Sequence, residues 1–112
     1  MVLPKKYRLV DKLEIEKVFK KGMVIDSNFF RIRFYPNSLF FSRFLVIISS
    51  KVSPKSVIRN KIRRRIREIV RLNILNDKPG YDLVVTVKSA SLSLKYDQLK
   101  EALIKELNRI RR

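Results

Sequence analysis

The chain has 112 residues, with 27 Lys and Arg against 10 Asp and Glu, for a net charge of +17. Its 46% hydrophobic content, with seven Phe and four Tyr, excludes a wholly disordered basic tail. The lack of Cys and His excludes thiol chemistry, disulfides, zinc fingers and histidine general bases. The length suits one domain, residues 1–112, with a modest core.

The chain opens with a basic lead-in in which Lys5, Lys6 and Arg8 flank Tyr7, and Pro4 argues against regular structure at its start. Asp11-x-x-Glu14 reads as a capping box for a first helix that runs to Lys21. Gly22 should end that helix in a left-handed cap. Leu9, Ile15, Val18 and Phe19 supply its inward contacts. No long apolar stretch follows the N-terminus and none approaches the ~20 residues of a membrane span. The expectation is a cytoplasmic protein with no membrane association.

From Met23 to Tyr35 the period changes to two: Phe30, Ile32 and Phe34 alternate with Arg31, Arg33 and Tyr35. Strand parity sets Phe29 and Tyr35 beside Arg31 and Arg33 on a basic, aromatic face. Pro36-Asn37-Ser38 reads as a turn, and Leu39-Phe40-Phe41 as a loop plug or an early part of the next strand. That strand, about Arg43 to Ser49, carries an apolar run that predicts burial on both sides.

Lys51 to Arg71 holds nine basic residues and one acid, Glu68. Ser56 is a plausible N-cap. At 100° per residue Ile58, Ile62, Ile66, Ile69 and Val70 form an apolar stripe. Asn60, Arg63, Arg64, Arg67 and Arg71 keep the same spacing opposite, with Lys61 and Arg65 on one flank. Solvated helix faces normally mix signs, because Glu–Lys pairs stabilise them. A run of arginines with little to offset it fits a polyanion, since the guanidinium binds phosphate bidentately and stacks on bases. Asn76 to Gly80 is a turn, Tyr81 to Val87 a third strand, and Lys95 to Arg111 a last helix with a stripe at Tyr96, Leu99, Leu103, Leu107 and Ile110. The order predicts a two-layer α/β sandwich, a small mixed sheet with helices packed on it.

Protein-borne catalysis is poorly supplied. The ten acids are scattered, with no Asp-x-Asp or Glu-x-x-Glu pair for a metal, and no glycine-rich phosphate loop. Binding is well supplied: basic surface combined with aromatics such as Phe19, Phe29, Tyr35 and Tyr7 suits single-stranded nucleic acid.

Ser56–Glu68, SVIRNKIRRRIRE, resembles the protein subunit of bacterial ribonuclease P, whose motif is Arg-Asn followed at helical spacing by basic residues. Arg8-Leu9, Val18-Phe19-Lys20-x-Gly22, Ser50-Lys51 and Tyr81-Asp82-Leu83-Val84-Val85 are similar to family positions in the same order, so the resemblance spans the chain. It implies an α/β sandwich with a left-handed βαβ crossover, like that of the second domain of a small-subunit ribosomal protein and an exception to the usual handedness. It also implies a catalytic RNA partner that carries the active site and its Mg²⁺ ions and removes the 5′ leader of precursor tRNA. The protein would bind no cofactor by itself. By matched position Lys51, Arg59, Asn60, Lys61, Arg63, Arg64 and Arg67 meet that RNA, and Arg71 continues the same face. A cleft between the first helix and the sheet would take the leader, with Ile15, Phe19, Arg31, Arg33 and Ser49 as its residues. The chain departs from the family at Ile15, usually Phe, at Arg33, usually aromatic, at Val52, often Lys, and at Pro54, commonly Gly.

A ribosomal or chaperone-like RNA-binding protein is the alternative that charge and size equally suit. A helix-turn-helix DNA binder would need a short helix before Val57, where the pattern reads as strand and turn.

Overall fold

The computed structural model describes residues 7–73 and 80–110. Helix α1 (Lys12–Lys21) begins where Asp11 Oδ1 accepts from the N–H groups of Leu13 and Glu14 at 2.9 and 3.3 Å. Those bonds pair two donors that a helix start leaves open. Glu14, expected to complete a capping box, instead turns its carboxylate toward Arg43, 3.9 Å away. Gly22 is also not the expected left-handed cap: its φ is −70°. Glycine is required there by crowding, because a Cβ would stand 2.3 Å from the Val18 carbonyl oxygen and 3.0 Å from that of Phe34.

The stretch read as one alternating segment is two strands, β1 (Met23–Asp26) and β2 (Phe30–Pro36). Between them the Ser27 hydroxyl accepts from the Phe29 and Phe30 N–H groups and donates to the Phe30 carbonyl, turning the chain. With β3 (Arg43–Ile47) and β4 (Tyr81–Val87) they form one sheet in the order β1-β2-β4-β3. β1–β2 and β2–β4 are antiparallel, while β3–β4 is parallel. Parallel neighbours need a crossover, and α2 (Ser56–Asn73) supplies it. Ser56 is already the first helical residue, with the Lys55 carbonyl accepting from Arg59 at 3.1 Å. A 3-10 turn at Ser89–Ser93 leads into α3 (Tyr96–Asn108). The expected turn at Asn76-Asp77-Lys78-Pro79 lies outside the described residues; Gly80, at its end, has φ +90°, a conformation that favours glycine.

Strand alternation divides the core. Phe30, Ile32, Phe34, Phe44, Val46, Leu83, Val85 and Val87 meet Ile66, Ile69 and Val70 of α2 and Leu99, Leu103 and Leu107 of α3. Each fully buried side chain of this kind stabilises by about 1.5–3 kcal/mol. This is the expected sheet-and-helix body. On the opposite face Leu9, Val18 and Val84 form a smaller cluster with Ile15, Tyr35, Leu45 and Ile47, under α1. β3 is therefore covered on both sides, as its uninterrupted apolar run requires. Phe29 does not join Arg31 and Arg33: it precedes β2, escapes strand parity, and packs against the larger core. Leu39-Phe40-Phe41 is neither plug nor strand. It forms an outward turn in which Leu39 and Phe40 are exposed and Phe41 meets the Tyr7 ring edge-on at 5.7 Å.

α1 is tied to the sheet through a buried carboxylate. Asp82, 2% exposed, accepts from Arg43 Nε at 2.9 Å, from Arg43 Nη2 at 2.7 Å and from Asn37 Nδ2 at 2.9 Å. The hydrogen bonds to Asp82 hold the Arg43 guanidinium above its ordinary pKa. Arg43 also lies 3.9 Å from Glu14, so one arginine joins β3, β4 and α1.

Candidate nucleic-acid interface

The apolar stripe of α2 sinks into the core at Ile66, Ile69 and Val70, which turns the opposite side of the helix outward. There Val57, Asn60, Arg63, Arg64 and Arg67 line a shallow groove, and none of its lining residues is acidic. Asn60 Oδ1 accepts from Arg63 Nη1 at 2.7 Å. The one neutral polar residue of the basic face thus aims a guanidinium that would otherwise sample many rotamers. Arg67 is half-buried, and its pKa is held below the ordinary arginine value by burial first, then by the charges of Arg63 and Arg8. Like charges crowded in this way cost free energy that a bound phosphate would relieve.

Two further residues of the expected interface are engaged outside this groove. Arg59 Nη1 donates to the Ser53 carbonyl at 2.8 Å, closing the loop before the helix. Arg71 Nη2 donates to Glu68 Oε1 at 2.8 Å. A helical projection places both correctly in angle; it cannot show the Ser53 carbonyl, whereas Glu68 is an i,i+3 neighbour of Arg71 that it does show. Arg65, on the flank, lies over the Tyr96 ring of α3, 5.4 Å from its centroid. Lys61 is exposed on the helix. Lys51 is exposed in the turn after β3, where its N–H donates to Ser49 Oγ at 3.2 Å. The structure therefore brings Asn60, Arg63, Arg64 and Arg67 into one groove and leaves Lys51, Arg59, Lys61 and Arg71 outside its lining.

A second surface lies beside α1. The pairing register aligns Arg31, Thr86 and Ile47 in one row and Arg33, Val84 and Leu45 in the next, on the face that α1 covers in part. Phe19 is 42% exposed at the edge of α1, and Arg33 Cζ lies 5.1 Å from its ring centroid, within cation–π range. Ile15 is half-buried against the cluster of Leu9, Val18 and Val84. Arg31 is exposed and paired across the hairpin, Nε to Asp26 Oδ1 at 3.2 Å, while Lys88 Nζ reaches the same oxygen at 2.7 Å. These two bonds, Lys88's first, lower the Asp26 pKa. Ser49 is exposed two residues past β3. Of the expected cleft residues, Phe19 and Arg33 are in contact, Arg31 lies in the adjacent row, and Ile15 serves more as floor than as surface. Thr86 was not anticipated. It stands between Arg31 and Ile47, and its sequence signal is a hydroxyl at the parity of buried Val84.

A family model described as Ribonuclease P matches residues 3–111. The chain is 36% identical over 110 residues to the ribonuclease P protein component of Petrotoga mobilis, covering 95% of this chain and 92% of that protein. It is 35% identical over 98 residues to that of Clostridium kluyveri, covering 86% and 87%. The solved RNase P protein from Thermotoga maritima superposes with a TM-score of 0.81 at 28% identity, over 91% of this chain and 96% of that one.

Proposed function

The chain belongs to the ribonuclease P protein family, and on that premise we propose that it is the RNA-binding subunit of an endoribonuclease that removes the 5′ leader of precursor tRNA. The catalytic RNA carries the chemistry in this reading, and α2 holds the protein against that RNA. The observation that carries the proposal is the acid-free groove at Asn60, Arg63, Arg64 and Arg67, in which Asn60 pre-orients Arg63. Fixed guanidinium groups bind phosphate without first losing rotamer freedom.

The strip beside α1 is the proposed leader contact. Phe19 offers a stacking surface, the guanidinium of Arg33 extends it, and Arg31 with Thr86 would hold the phosphate and ribose of a single strand. In this position Arg33, where relatives of this family usually carry an aromatic, keeps a flat group that stacks and adds charge.

Mg²⁺ would be held by the RNA. Among the described residues no three acidic or other ligating side chains gather where they could hold a metal. Among them, too, no helix is long and apolar enough to cross a membrane.

The test is reconstitution. Purified protein is mixed with several bacterial ribonuclease P RNAs, and cleavage of precursor tRNA is measured at low Mg²⁺. The expected result is faster cleavage than with RNA alone, and tighter binding of precursor than of mature tRNA. No gain with any RNA would overturn the function. A gain without leader preference would remove the leader contact.

A further inference from the structure

The turn between β2 and β3 presents an aromatic ring that no packing explains. Phe40 is 96% exposed, beside partly exposed Leu39. A lone exposed apolar residue is ordinary, but this turn is braced from several directions. Asn37 N–H donates to the Gly80 carbonyl at 2.8 Å, its Nδ2 to the Phe41 carbonyl at 3.2 Å and to Asp82 at 2.9 Å, and its Oδ1 accepts from Leu39 N–H at 2.9 Å. The turn is thus anchored to the same buried carboxylate that holds β3 to β4. A braced turn has already lost the freedom that binding would otherwise cost it.

From this turn a chain of contacts leads to a basic residue at the edge of the sheet. Phe41 packs on Tyr7, and Arg8, next along the chain, bridges to Phe44 at the start of β3. Arg8 thus lies along the outer edge of β3, the strand that α2 also packs against. A net charge of +17 opposes pairing of Phe40 with a second copy and favours a polyanion.

We infer that Phe40 is an additional RNA contact, a platform on which one unpaired nucleobase of the catalytic RNA stacks while α2 holds the adjoining backbone. The inference rests on the proposed function, in that the RNA is the one α2 binds. A nucleobase joins a flat apolar face to a phosphate one sugar away, which matches an exposed ring on a strongly basic protein with Arg8 at the neighbouring sheet edge.

The chain has no Trp, so Phe40→Trp is a single-tryptophan reporter in the intact protein. Adding a ribonuclease P RNA that activates the wild-type protein should quench its fluorescence strongly, before any precursor is present. Phe40→Leu, which keeps the apolar bulk but not the π-face, should weaken RNA binding by roughly fivefold or more, while Phe40→Tyr stays near wild type. Unchanged fluorescence at saturating RNA would overturn the contact and leave the proposed function standing. Quenching that appears only with precursor would overturn the assignment to the catalytic RNA. A spectral shift that grows with protein concentration in the absence of RNA would give the ring to a second copy and likewise overturn it. Failure of the wild-type protein to bind any ribonuclease P RNA would remove both readings.

Discussion

Asn60 and Arg63 form a hydrogen-bonded pair, Oδ1 to Nη1 at 2.7 Å, one helical turn apart on the outer face of α2. The pair separates two contributions to RNA affinity that a basic helix normally confounds. Arg63 supplies the charge and Asn60 its direction.

Asn60→Ala should therefore weaken RNA binding several-fold while leaving the salt dependence nearly unaltered, because every positive charge remains. Arg63→Ala and Arg67→Ala should each lower the slope of log K against log salt by about 1, as expected for one phosphate contact. Titrations at several salt concentrations distinguish the two behaviours. A slope that falls with Asn60→Ala would mean that Arg63 loses its phosphate altogether once released.

Arg71→Ala is expected to behave differently from Arg63→Ala. Its guanidinium already bonds Glu68 at 2.8 Å, so its removal should change the salt slope by clearly less than about 1. A full unit lost would show that Arg71 exchanges Glu68 for a phosphate on binding.

Asp82→Ala removes the buried partner of Arg43, whose own side chain keeps 21% exposure. Breaking a fully buried pair costs about 3–5 kcal/mol. Partial exposure of Arg43 reduces that to about 2–3 kcal/mol by solvent screening. Urea denaturation should show the loss as a lower midpoint with an unchanged slope. Asn37 would lose a bond as well, so local protection of the β2–β3 turn should fall in hydrogen exchange.

Phe19→Ala should leave stability and RNA-subunit binding nearly intact, since the ring is already 42% exposed. Affinity of the holoenzyme for a precursor with a leader should fall by about fivefold or more, the lower end of one base–aromatic stack. A precursor trimmed to its mature end is the control, and an equal loss on both would move Phe19 off the leader path.

Gly22→Ala tests a packing claim in which function plays no part. The added Cβ would meet the Val18 carbonyl at 2.3 Å, so the end of α1 must shift, at about 1–3 kcal/mol. A neutral effect on the unfolding midpoint would show that the helix end yields freely.

Much of this protein is legible in its sequence because its signals are local. Asp11 caps α1 through its own next residues. β2 and β4 alternate by the pleat, and α2 separates Ile66 and Ile69 from Asn60 and Arg64 by its 100° step. Period and capping depend only on the backbone near a residue, so most of the elements, the basic face and the inner parts of the core stripes followed directly, while Ile58 and Tyr96, at the first turns of α2 and α3, stay exposed. The β1–β2 break was missed because Ser27-Asn28 is a weak turn signal within an alternating stretch. Tertiary contacts decided the rest. Arg59 is held back because the fold brings the Ser53 carbonyl within its reach, whereas Glu68, three residues before Arg71 on the same helix, is a local partner. Thr86 joins the second surface only through the register with Arg31 and Ile47, and the Phe34 carbonyl, which adds to the crowding of Gly22 by Val18, comes from the paired strand. Phe40 has the same cause: an aromatic run predicts burial, but Asn37, bound to Asp82 45 residues away, holds the turn so that one ring stays in solvent.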